Sequence, residues 1–343
     1  MKKLNTRIFS ALQSVALRIP LTSYLLPLLL LSSCRADLRE LCYDHHHSAN
    51  VTVGFNWTSS VATSMTPQGM TVLFYNTQQA SQEPERYDFA GMGGGTARLI
   101  AGSYRAMAYN YDTETILYRG RESAATLEAY TRSSSIEEGT QMAMATRGFD
   151  MPRAAGTEDE PVILEPDALC GAVSEDFSLA TNDAGNVTVT PEMRTHVVTI
   201  TITNVPNLQY TYQFGASLTG MAGSVNMLSG RAGDEAVTQA FTGYASDATT
   251  LVFRFRSFGH CPRHSEGVVH SHMFTVYAIL ADGSKWYYTE DISSQMHNWA
   301  EHPEDEDISI ALDELPIPKP IVNGSGFQPT IDGWQGIEIE VGM

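Results

Sequence analysis

Along much of this chain apolar and polar residues alternate with a period of two, the spacing that puts successive side chains on opposite faces of a strand. Val51, Val53, Phe55 and Trp57 alternate with Thr52, Gly54 and Asn56. Between His196 and Thr203, Val198, Ile200 and Ile202 fall on one face and threonines on the other. Tyr210, Tyr212 and Phe214 repeat the pattern, as do Leu251, Phe253 and Phe255 against Arg254 and Arg256, and then Phe274, Val276, Ala278 and Leu280. The last such stretch sets Ile337, Ile339 and Val341 against Glu338 and Glu340. These segments predict antiparallel strands with one face packed and one wet. Turn residues punctuate them at Gly93-Gly94-Gly95, Ala101-Gly102-Ser103, Asp183-Ala184-Gly185 and Asp282-Gly283. Helical periodicity is confined to a short turn near Asp291 to Met296. Short strands between Gly-rich turns predict an all-β fold of the sandwich type.

The pattern lapses around Pro152, Arg153, Gly156, Glu158-Asp159-Glu160, Pro161 and Pro166, a stretch read as the connection between two sandwiches. The expected organisation is a first sandwich over 43–147, a linker over 148–168 and a second sandwich over 169–343. Residues from Leu315 to Phe327 are rich in proline and glycine, so the final strand arrives after an extended crossing. It either completes the second sheet or pairs with another molecule, which makes Ile337, Ile339 and Val341 candidate subunit contacts. The acidic run from His302 to Asp307 reads as a solvated loop.

The first residues follow another rule. Lys2, Lys3 and Arg7 precede an apolar run from Leu21 through Leu31, too short to span a ~30 Å hydrocarbon core as a helix. This is the pattern of a cleavable signal peptide, 1–33, followed by a short tether, 34–42. Its removal takes Lys2, Lys3, Arg7 and Arg18 and no acid, so the net charge of −18 becomes −22. A surface so acidic argues against nucleic acid and anionic membrane surfaces as partners. With 43% hydrophobic and 17% charged residues, the remainder has the means to build a substantial core. Cys42, Cys170 and Cys261 are odd in number and far apart, neither a disulfide framework nor a metal-knuckle spacing. One disulfide is permitted in an oxidising compartment, with the pair left open.

No Gly-x-Ser-x-Gly elbow, phosphate-binding loop ahead of a helix or His-Glu-x-x-His helix is present, so no catalytic site is assigned and an enzyme is not expected. Gly91-Met92-Gly93-Gly94-Gly95 reads as a hairpin turn. Histidines gather twice: Asp44-His45-His46-His47, and His260 and Cys261 with His264, His270 and His272. Imidazole and thiolate suit zinc or copper. Neighbouring residues on an extended chain point alternately, however, so structural roles are expected and no metal or cofactor is assigned. Trp286-Tyr287-Tyr288, Trp299 and Trp334 would suit a glycan platform if exposed together. Trp286 and Tyr288 share a strand face, which favours packing.

The junction Leu31-Ser32-Ser33-Cys34 resembles the lipobox of bacterial lipoproteins, which implies lipidation of Cys34 as the first mature residue. Several acyl chains there would hold stably, each buried methylene contributing about 0.8 kcal/mol. After it come Arg39-Glu-Leu-Cys-Tyr-Asp-His45, the strand ending at Trp57, Gly69-Met70, Tyr87-Asp-Phe89, Gly95-Thr96, Ala101-Gly-Ser-Tyr104 and Asn110-Tyr-Asp-Thr-Glu114. The second half adds Pro166-Asp167, Ser217-Leu-Thr-Gly-Met221, Phe258-Gly259, Asp282-Gly283, Gly324-Ser-Gly-Phe327 and Asp332-Gly-Trp334. In this order the motifs resemble an uncharacterised family of Bacteroidota surface lipoproteins, itself similar to the minor and anchoring subunits of type V, fimbrillin-type, pili. The resemblance implies two tandem transthyretin-like antiparallel β-sandwich domains. It also implies a surface-exposed place at the outer membrane through the lipid, other fimbrial subunits as partners, and a role in anchoring fimbriae and in adhesion. A glycan- or ligand-binding surface lipoprotein is the alternative.

Overall fold

A computed structural model describes residues 47–79, 82–142, 151–181, 184–261, 270–300, 307–320 and 335–338. The signal segment, Cys34, Cys42, His45, His46, His264, Trp334, Ile339 and Val341 lie outside them. The chain runs through β1 (Ser48–Phe55), helix α1 (Ser59–Ser64), β2 (Gly69–Asn76), β3 (Glu85–Ala90), β4 (Gly95–Ile100), β5 (Gly102–Asn110), β6 (Ile116–Arg119), β7 (Glu128–Thr131) and α2 (Ile136–Gly139). There follow β8 (Val162–Ile163), β9 (Cys170–Val173), β10 (Phe177–Leu179), β11 (Ala184–Val189) and β12 (Glu192–Met193). The remainder is β13 (His196–Thr203), β14 (Thr211–Ala222), β15 (Ser224–Asn226), β16 (Ala236–Ala245), β17 (Leu251–Ser257), β18 (Met273–Leu280), β19 (Lys285–Asp291), α3 (Ser293–Ala300), β20 (Asp307–Asp313) and β21 (Gln335–Glu338). The all-β expectation holds, and both short helices ahead of β8 start on a hydroxyl cap: Thr58 accepts from the Val61 amide and Ser135 from the Glu138 amide.

The first half has three layers. Its middle sheet has the order β12-β9-β5-β2-β3, with β10 also on β5. Met70, Val72 and Phe74 of β2, with Tyr104, Ala106 and Ala108 of β5, pack on one side against Val51 and Val53 of β1, Leu99 of β4 and Val187 of β11. Leu73, Tyr75, Met107 and Tyr109 pack on the other against Ala129 of β7, Val225 of β15, Leu127 and Met227. A strand buried on both faces carries no alternation, and β2, Gly69–Asn76, is apolar almost throughout.

The second half is a sandwich with β16 as its corner. Residues Ala236 to Thr242 pair with β14, and Gly243 to Ala245 pair with β17. One wall is then β20-β13-β17 and the other β14-β18-β19-β21. Between them lie Val198, Ile200 and Ile202, Phe253 and Phe255, Phe274 and Val276, Trp286, Tyr288, Ile308 and Ile310. Phe241 and Phe255 stack with ring centres 3.7 Å apart. Here alternation survives, because one face of β13 and β17 remains outside the core.

Strand pairing crosses the expected boundary at 168/169. β9, β10 and β12 pair within the first half's middle sheet, and β11 pairs with β1. β15, from the second half, pairs with β7. From Met151 on, the segment expected as the connection between two sandwiches lies as a strap on the outer face of the second sandwich. Met151, with Ile136 and Met142, packs on Ala240, Tyr277 and Ile279, and β8 pairs with β16. The Tyr277 hydroxyl donates to Pro152 O at 2.7 Å. Ala49–Met343 accordingly hold together as one compact unit. Nor is every pair antiparallel: β1 with β11, β13 with β20 and β8 with β16 run parallel, a pairing that a tight hairpin cannot join and that needs a long crossover.

Two local readings change for physical reasons. Tyr212 is 78% exposed while Phe214 is buried, because the pairing of β14 with β18 shifts register between Thr211 and Gln213; a bulge turns one residue out of the alternation. Gly91 to Gly95 carries the chain from β3 in one sheet to β4 in another and is not a hairpin. Gly94 has φ +79°, and a Cβ there would lie 2.1 Å from Val53 O, so only glycine fits.

Candidate functional site: strand edges and a histidine corner

Strand edges present unpaired main-chain N–H and C=O groups, the chemistry an all-β fold offers to a partner. β1 is no edge: it lies between β11 and β4, with Val51 and Val53 in the core. Among the described residues the large sheet has nine strands, and its terminal ones are β20 and β21. At β20 the side chain of Gln295, from α3, donates to Ala311 O at 3.2 Å and accepts from the Ala311 amide at 3.3 Å. A side-chain amide thus occupies the place of a neighbouring strand and blunts that edge. At the far edge β21 pairs with β19, placing Ile337 opposite Tyr287. Of the three residues expected as a contact strand, Ile337 thus sits on the chain's own sheet, at its outermost strand, while Ile339 and Val341 lie outside the described residues.

The glycan platform does not form around Trp286, which is 3% exposed and belongs to the second core with Tyr288. Tyr288 donates to Pro316 O at 2.8 Å. Trp57, half-buried, donates to Met92 O at 2.9 Å. Cys170 and Cys261 are buried free thiols and do not pair with each other. Burial pushes Cys170 up to about 12 and Cys261 up to about 11, so both stay protonated and neither is an activated nucleophile. Among the described residues no helix is long and apolar enough to cross a membrane.

The second histidine group does assemble, with a member that the spacing did not reveal. His260 follows β17, His272 directly precedes β18, and His297 arrives from the last turn of α3. Ring centres are 5.7 Å apart for His260 and His272, 6.0 Å for His260 and His297, and 5.1 Å for His272 and His297. His47, by contrast, is exposed. His297 sits 25 residues or more from the others' motif on a short helix, so only tertiary structure could recruit it.

Fold and edges together define an all-β, sandwich-built protein whose first described strand, β1, is seated in the core. The chain belongs to the family described as "Domain of unknown function (DUF5119)", which matches residues 33–242. Over 105 residues it is 33% identical to a Bacteroides ovatus protein provisionally named fimbrium anchoring subunit Fim4B. That match covers 30% of this chain and only 29% of the relative. A crystal structure of a Bacteroides ovatus protein, provisionally classed as an adhesin, superposes with a TM-score of 0.54 at 18% identity, covering 83% of this chain and 97% of that one. The likeness shows the fold. The fimbrial anchor protein Mfa2 from Porphyromonas gingivalis gives a TM-score of 0.46 at 12% identity, over 78% of this chain and 90% of that one, too distant to carry an argument.

Proposed function

We propose that this protein anchors or supplements surface fimbriae, held at the outer membrane by lipid on Cys34 and contacting other fimbrial subunits by strand pairing. The observation that carries the reading is the position of β1. Cys34 is joined by a short tether to a strand flanked on both sides and seated in the core, so load on the lipid is taken up by the fold itself. A subunit that keeps its first strand has no open groove there for a neighbour and suits the end of a fibre. The relative's name points the same way. The connecting element in this reading is the outermost strand of the large sheet, Ile337 with Ile339 and Val341, because a sheet edge offers main-chain hydrogen bonds to an incoming strand.

Two measurements test it. Cys34→Ala should move the protein from the membrane to the soluble fraction while Cys42→Ala leaves it bound; a Cys34→Ala protein still wholly in the membrane refutes the anchor. Lipidated protein pulled down from its native membrane should bring fimbrial subunits with it. Deleting Ile337 to Met343 should abolish that capture in a protein that stays folded and membrane-bound. Capture at full strength after the deletion would move the contact to another edge.

A further inference from the structure

We propose that His260, His272 and His297 form a binding site for a divalent transition-metal ion of the zinc class. His272 is the built part of this site. Its ring is fully buried, and Nδ1 lies 3.0 Å from Thr219 O. A carbonyl only accepts, so Nδ1 carries the proton and Nε2 presents a lone pair. That Nε2 is buried and meets no hydrogen-bond donor from the protein. Fixing one ring nitrogen on a main-chain carbonyl while the other faces inward is how ligating histidines are held. Gly220 makes room for it: at φ +71°, a Cβ there would stand 2.9 Å from His272 Nδ1.

The other two rings complete the set. A tetrahedral zinc site with Zn–N of about 2.1 Å places imidazole centres about 5 Å apart. His272 and His297 already stand at 5.1 Å, and the His260 separations, 5.7 and 6.0 Å, are slightly wider. Among the described residues no group of three or more His, Cys, Asp or Glu is placed to hold an ion as it stands, so ion binding requires the more widely separated His260 ring to move inward. The Cys261 thiol is turned to Asp234 O, to which it donates at 3.3 Å. An ion here would tie the end of β17, the start of β18 and α3 to one point, and α3 is the helix whose Gln295 covers the β20 edge.

The test titrates zinc chloride into full-length, detergent-purified, EDTA-stripped protein by calorimetry. Because His45, His46 and His47 could bind zinc themselves, the same titration is run with all three changed to alanine. One ion per chain with micromolar or tighter affinity is expected in both, with a rise in melting temperature on zinc addition. His297→Ala is the chosen variant because that ring is only half-buried; it should weaken binding at least about tenfold while melting in EDTA stays unchanged. Absence of micromolar binding overturns the proposal. So does zinc heat that vanishes with the N-terminal histidines or survives intact in His297→Ala.

Discussion

β2 and β17 are strands of similar length that bury their residues in different ways. Seven of the eight β2 residues are buried, because sheets lie on both of its faces, whereas β17 alternates Leu251, Phe253 and Phe255 inward with Val252, Arg254 and Arg256 outward. The first half is therefore a stack of three sheets with two cores, and the second a two-walled sandwich with a strap on part of its back. Alternation is a statement about how many faces are dry, not about whether a segment is a strand.

The largest effects should come from the cores and should break the comparison if it is wrong. Leu73→Ala and Phe74→Ala, adjacent on β2, should each lower stability, by about 2–5 and 3–5 kcal/mol in urea unfolding. On β17, Phe253→Ala should cost about 3–5 kcal/mol and Arg254→Ala less than about 0.5. A near-neutral Leu73→Ala would mean that the third layer is not packed.

Next is the strap. Tyr277→Phe removes the bond to Pro152 O and the 3.1 Å contact with Ser217, and should cost about 1–3 kcal/mol. It should also speed tryptic cleavage at Arg153, whose guanidinium donates to the carbonyls of Glu158 and Glu160. Unchanged stability and cleavage would show the segment to be an undocked linker after all.

At the sheet edge Gln295→Leu should cost about 1 kcal/mol and raise hydrogen exchange at the Ala311 amide, leaving the Val198 amide on interior β13 unaffected. Exchange at Ala311 as slow as in the parent would show that Gln295 does not guard that edge. The smallest effect compares the two buried thiols. At pH 8 neither should react with iodoacetamide in the folded protein at a measurable rate, and both should react on unfolding. Cys261, with the smaller upward shift, should be the first to yield as pH is raised.

Much of this was legible beforehand. His196 to Thr203 is β13 to the residue, and Leu251 opens β17 and Phe274 is the second residue of β18, strands whose inner faces are those the pattern named. The turn at Asp282-Gly283 sits between β18 and β19 with Gly283 at φ +84°, a conformation that glycine adopts freely. Burial of Trp286 with Tyr288 also followed from their shared face.

By itself, then, the sequence determined the all-β class and one-faced strands such as β13 and β17, because those depend on residues near one another in the chain. Tertiary structure alone decided that Cys170 to Val189 joins the first half's sheets, that Met151 docks on Tyr277, that Gln295 caps Ala311 and that His297 meets His260 and His272. Each of these brings together residues far apart in sequence. Such pairings leave no local period to read, since they are selected by the fit of surfaces that exist only once the sheets have formed.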